Sequence, residues 1–233
     1  SSNSGEHTKL SIIDPDLSIE IHNLNRQVLY QEEDLGLAKA EIAKRRLEDS
    51  IDGIRVTSYN EEIGTGSLQT LHHDGIKTED SSEDFPWADD LDLLSDGNLL
   101  DQDFPGICRD IDFILCGVDN LRARAILCGI SSEIGIPMIN AGAQGFHGQF
   151  DLFTEGGSCM LCRYGLGVLS QSGPMSCQED GEVPFGSIVT STALFGAIEG
   201  LAMISVLAGG PSSLEKWPSQ VSWSGRRNTF SME

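Results

Sequence analysis

The stretch KLSIIDPDLSIEIHNLNRQ (Lys9–Gln27) decides the reading of the fold. Its first five residues are a short apolar run bounded by charge, the pattern of a buried strand. The run stops on an acid, Asp14. In a nucleotide-binding βαβ unit, such an acid follows a glycine-rich phosphate loop by about twenty residues and meets the ribose. Only thirteen residues precede Asp14, and SSNSGEH (Ser1–His7) contains no such loop. A lone Asp at a strand end is more often a cap for the backbone that follows.

Working outward, the pattern alternates. EDLGLAKAEIAKRRLEDS (Glu33–Ser50) spaces Leu35, Ala38, Ile42 and Leu47 as one face of a helix, with Glu41 and Arg45 as a supporting i,i+4 pair. IRVTSYNEEI (Ile54–Ile63) alternates as a strand. DFILCGVDN (Asp112–Asn120) is a strand with a polar end, and LRARAILCGISSEIG (Leu121–Gly135) is a helix closed by glycine. PMINAGAQGFHGQFDLF (Pro137–Phe153) reads as two strands around a glycine-rich turn, and QVSWSGRRNTFSM (Gln220–Met232) as a last strand. The alternation predicts an α/β fold, a doubly wound and mostly parallel sheet with antiparallel strands at its far edge. We expect a single domain over residues 1–233, with an acidic insertion at about 74–110.

Charge and composition narrow the function classes. The net charge is −21, which disfavours nucleic acid and anionic membranes as partners. Thirteen acids between Asp74 and Asp112, against Lys77 and Arg109, carry about half of it. That block reads as a solvated insertion, or as an acidic-hydrophobic partner-binding segment. With no leader at the start, a cytoplasmic setting is expected. Cys116 and Cys128 sit in apolar stretches and read as inert core thiols. The apolar run Ser187–Leu207 could pass for a membrane span, but Glu199 and its Ser, Thr and Gly residues favour a buried or interface helix.

Polar residues collect at the C-terminal ends of the predicted strands, where open α/β sheets bind ligands. Asp14 and Asp119 end strands, Arg26 follows Asp14 in the loop, and Lys39 stands near the start of the helix. An acid for ribose, two bases for phosphates and a second acid for a metal would make a nucleoside triphosphate site. NLNRQVLY, DLGLAKAEIAKRRL, GVDNLRAR and IPMINAGAQGFHGQF together resemble the ThiF/MoeB/HesA family, the bacterial branch of the ubiquitin-activating enzyme superfamily. The resemblance runs from about Lys9 to the chain end, outside the acidic block. It implies a Rossmann-like fold that is N-terminally incomplete here, since the family's first strand, helix and glycine loop have no match.

The resemblance also implies chemistry: ATP-dependent adenylation of the C-terminal Gly-Gly carboxylate of a ubiquitin-like or sulfur-carrier protein, by a homodimer. Asp14 matches the ribose acid. Asn23, Arg26 and Gln27 match the motif lining the phosphates, with Arg26 on the triphosphate, and Lys39 matches the lysine that neutralises phosphate charge. Asp119 matches the acid that engages Mg²⁺ and nucleotide, with Asn120 and Arg124 as its neighbours. Cys159 and Cys162, in CMLC, match half of a four-cysteine zinc site; a redox dithiol is the alternative. Cys177 stands where some members carry a cysteine that takes over the acyl group or sulfur. His147 reads as structural. A catalytically inactive scaffold half of a heterodimer, or adenylation of a peptide or a tRNA base, are the alternatives to carrier activation.

Overall fold

The structure, a computed structural model, describes residues 8–63, 111–119, 121–164 and 188–233. The acidic block, Asn120 and Cys177 lie outside these residues. The chain divides into two compact units, Ser1–Ile63 and Gly64–Glu233.

In the first unit, β1 (Thr8–Ile13) pairs in parallel with β2 (Ile54–Tyr59), Leu10 opposite Val56, and the Asp14 N–H extends the ladder to the Tyr59 carbonyl. A parallel pair needs a crossover. Here it contains α1 (Lys39–Ser50), which packs on both strands and buries Ala40, Ile42 and Ala43. The helix begins six residues later than its periodicity suggests. Gly36 adopts φ +81°, a left-handed conformation that interrupts the helix, and Glu32–Asp34 form a separate 3₁₀ turn. The expected Glu41–Arg45 pair is also replaced. Arg45 reaches back to Asp34, and Glu41 instead accepts a hydrogen bond from the Ser58 hydroxyl.

The second unit holds a five-stranded sheet in the order β3 (Ile114–Cys116), β4 (Met138–Gln144), β5 (His147–Phe153), β6 (Gln220–Ser224) and β7 (Thr229–Met232). β3 and β4 are parallel, joined through α2 (Leu121–Ile134), and the remaining pairs are antiparallel. This is a parallel segment with antiparallel strands at the far edge, as the alternation predicted. The single last strand is instead a hairpin. Residues 225–228 (GRRN) turn the chain, with Asn228 at φ +50°, so Ser224 faces Thr229.

Between β5 and β6 lie α3 (Met160–Tyr164) and α4 (Val189–Gly209). The core of this unit joins Ile139 and Ala141 of β4, Phe150 and Leu152 of β5, and Phe195, Ala202 and Val206 of α4. By length and composition α4 could cross a membrane. One of its faces packs on β4 and β5, while Leu201, Ile204 and Leu207 on the other are each more than half exposed.

Candidate active site

The turn after β1 is built by Asp14 and Asp16. The Asp14 carboxylate accepts the Asp16 N–H at 2.9 Å, a local side-chain bond that fixes the turn. Asp14 therefore does cap backbone, as a strand-end Asp often does. Asp16 in turn holds Lys39: its carbonyl accepts the Lys39 N–H at 3.0 Å, and its carboxylate accepts from the Lys39 ammonium. Lys39 is the first residue of α1 and is buried at 7% exposure. The Tyr30 hydroxyl completes the group by donating to the Lys39 carbonyl at 3.3 Å. Burial first, then the charges of Asp14, Asp16 and Asp34, push the Tyr30 phenol up to about 12, so it stays a neutral donor. The structure thus brings Asp14 and Lys39 into one cluster and adds Asp16 and Tyr30. No periodicity or spacing marks those two, because their contacts with Lys39 join residues 23 and 9 apart through the fold.

The NLNRQ loop is organised from within. Asn23 is buried; its side-chain oxygen accepts the Glu20 N–H at 2.9 Å, and its carbonyl accepts the N–H groups of Arg26 and Gln27. The Arg26 guanidinium donates to the His22 carbonyl at 2.8 Å and to the Asn25 side chain at 3.1 Å. Among the described residues, the buried Gln27 amide oxygen has no hydrogen-bond partner. Behind the loop, the fully buried Asp34 accepts from Arg45 at 2.6 Å, Arg46 at 2.8 Å and the Gln31 N–H at 2.9 Å. Burial alone would raise the Asp34 pKa. The Gln31 N–H and the Arg46 and Arg45 charges outweigh it and hold the carboxyl below its ordinary value.

The other candidates lie in the second unit. Asp119 is exposed, three residues beyond the C-terminal end of β3. One exposed carboxylate at such a strand end suits Mg²⁺, which takes one or two carboxylates and keeps waters or phosphates as its other ligands. Arg124 turns inward, donating to the Asn140 side chain and to the Ala141 carbonyl at 3.1 Å.

Asn140 leads to a network the sequence did not announce. Its amide donates to the buried Asp151, which also accepts from Gln149, Tyr164, Arg163 and Gln220 at 2.6–3.2 Å. Arg163 and Tyr164 belong to α3, beside Cys159 and Cys162, whose sulfurs are 3.5 Å apart. That spacing suits two corners of a tetrahedral zinc site, since zinc–sulfur bonds of about 2.3 Å put the sulfurs a little under 4 Å apart. A closed site needs four ligands, and no group of three or more such donors occurs among the described residues. Cys116 and Cys128 are buried, as expected of core thiols. Burial pushes the Cys116 thiol up to about 11 and also raises that of Cys128. His147 is exposed on β5, opposite Gln144 and Ser224 in the ladders.

This geometry can be set beside known proteins. The chain is 27% identical over 192 residues to SUMO-activating enzyme subunit 2 of Dictyostelium discoideum, covering 82% of this chain and 23% of that protein. It is 28% identical over 175 residues to the adenylyltransferase and sulfurtransferase UBA4 of Kluyveromyces lactis, covering 74% and 31%. It therefore spans less than a third of the length of these curated relatives. Its fold matches that of E. coli MccB crystallised with ATP, with a TM-score of 0.56 at 18% identity, over 97% of this chain and 55% of MccB. The ThiF family profile matches residues 5–232, and a match of that extent makes the chain a member of the ThiF family.

Proposed function

We propose that this chain is the adenylation domain of an enzyme that activates the C-terminal carboxylate of a ubiquitin-like or sulfur-carrier protein with ATP. The observation that carries the reading is Lys39: a buried ammonium at the start of α1, beside the two acids that close β1. The reaction needs little acid–base help. A carboxylate oxygen attacks the α-phosphorus, the α–β bridging P–O bond breaks, and pyrophosphate leaves with the electron pair. Such a step relies on cations over the phosphates and on positioning. Lys39 supplies one fixed positive charge, Arg26 a second, and Asp14 an acceptor suited to ribose hydroxyls. Asp119 would hold Mg²⁺, which supplies further charge neutralisation on the phosphates. Relatives named for SUMO activation and for adenylyl transfer support this class of activity.

Transfer of the acyl group to Cys177, with AMP leaving, extends the same reading. So do a homodimer, which the exposed apolar face of α4 supports, and a cytoplasmic setting.

The test is ATP–pyrophosphate exchange by the full-length protein with a carrier ending in Gly-Gly. Exchange should require that terminus, and Lys39→Ala or Asp119→Ala should lower it at least about 100-fold. Intact exchange in either variant would overturn the site assignment. Exchange supported by a short peptide and not by the carrier would move the substrate class to peptides. ATP binding without any exchange would make the chain a scaffold.

A further inference from the structure

We propose that Asp16 is a built-in counter-ion that competes with the nucleotide's phosphates for Lys39, and so sets how tightly the site takes a triphosphate. This rests on the adenylation reading above and names a positioning residue within that site.

The argument begins with burial. The Lys39 side chain is 9% exposed, and a buried ammonium must be paired. Its partner is the Asp16 carboxylate, which is 55% exposed. The two members of the pair are therefore unequal. Water can take over the Asp16 carboxylate at little cost, whereas the Lys39 ammonium needs an anion wherever it points.

Both partners are also held at the backbone. The Asp16 carbonyl accepts the Lys39 N–H, and the Asp16 N–H is tied to Asp14. The lysine is thus pre-aimed at one spot on the turn after β1, and an anion arriving there meets a cation with a carboxylate on it. Two anions compete for one ammonium, and the solvated one is the replaceable one. Asp16 keeps the lysine paired and aimed while opposing any phosphate that takes it.

The experiment measures ATP and adenosine affinity by calorimetry on the full-length protein, for wild type, Asp16→Asn and Asp16→Glu. Asp16→Asn should tighten ATP about tenfold, since one competing unit charge is gone. It should leave adenosine unchanged, because the effect acts only through the phosphates. Asp16→Glu, which keeps the charge, should return ATP affinity toward wild type. Unchanged or weaker ATP binding by Asp16→Asn would overturn the proposal, as would an equal change for adenosine. Should Asp16→Asn fail to fold, the wild type still decides. In a ¹⁵N-lysine spectrum the Lys39 ammonium signal, assigned by its loss in Lys39→Arg, should move on adding ATP and not on adding adenosine; a signal that ignores ATP defeats the idea. A wild type that binds no ATP at all would instead defeat the adenylation reading.

Discussion

Glu199 is an acid placed in an apolar helix, and its surroundings change its chemistry. Burial pushes its carboxyl up to about 7, with the Arg124 charge pulling the other way, and among the described residues its Oε1 has no hydrogen-bond partner. In an unfolded chain the same group titrates near about 4.3. The folded protein therefore keeps a proton that the unfolded chain gives up between these values. The stability this contributes is fully present below about pH 4 and is lost as pH rises through 7. Unfolding free energy measured in urea should fall by about 2 kcal/mol between pH 5 and pH 8. Glu199→Gln, which cannot ionise, should flatten that slope and be the more stable protein at pH 8. A variant with the wild-type slope would assign the titration to another group. Asp34 shows the opposite outcome for a buried acid. With two arginines and a backbone N–H as partners, its carboxyl is held low and charged.

β5 and α4 approach each other closely at one glycine. Gly148 lies opposite Phe195, and a Cβ at residue 148 would stand 2.0 Å from the Phe195 ring. Phe195 is itself 2% exposed and part of the core, so the ring cannot simply swing aside. Gly148→Ala should therefore cost about 3 kcal/mol in chemical denaturation, at the upper end for overpacking a core. Adding Phe195→Leu should recover part of that loss, and a double variant no better than Gly148→Ala would show that the strain lies elsewhere. The same strand carries Asp151, whose five donors come from β4, β5, α3 and β6. Gly148 brings α4 close to β5, while Asp151 ties α3 and the neighbouring strands to it.

Across the molecule, the sequence revealed what is local and repeated and missed what is tertiary. Alternation located β1, α1, β2, α2, β4 and β5, and the polar strand ends pointed to Asp14 and Asp119. It could not reveal Asp16, whose role depends on a lysine 23 residues away, or the Asp151 network, assembled from residues 140 to 220. It ran α1 through Leu35 because apolar spacing does not register a left-handed Gly36. It merged β6 and β7 because the turn between them is only four residues. Net charge is legible without any structure, and it bears on stability. At −21 the compact state repels itself. The ion pairs Arg46–Glu33 and Arg45–Asp34 oppose this, but each has one partner more than half exposed, where water and salt weaken the attraction. Salt weakens both effects, shortening the screening length from about 30 Å at 0.01 M to about 8 Å at 0.15 M. Because the repulsion sums over many acids and the attraction over few pairs, screening should favour folding. Calorimetry should show Tm rising by about 3 °C over that range, equally in sodium and potassium chloride. A Tm that falls with salt would mean that the specific pairs, including the two on Asp34, outweigh the summed charge.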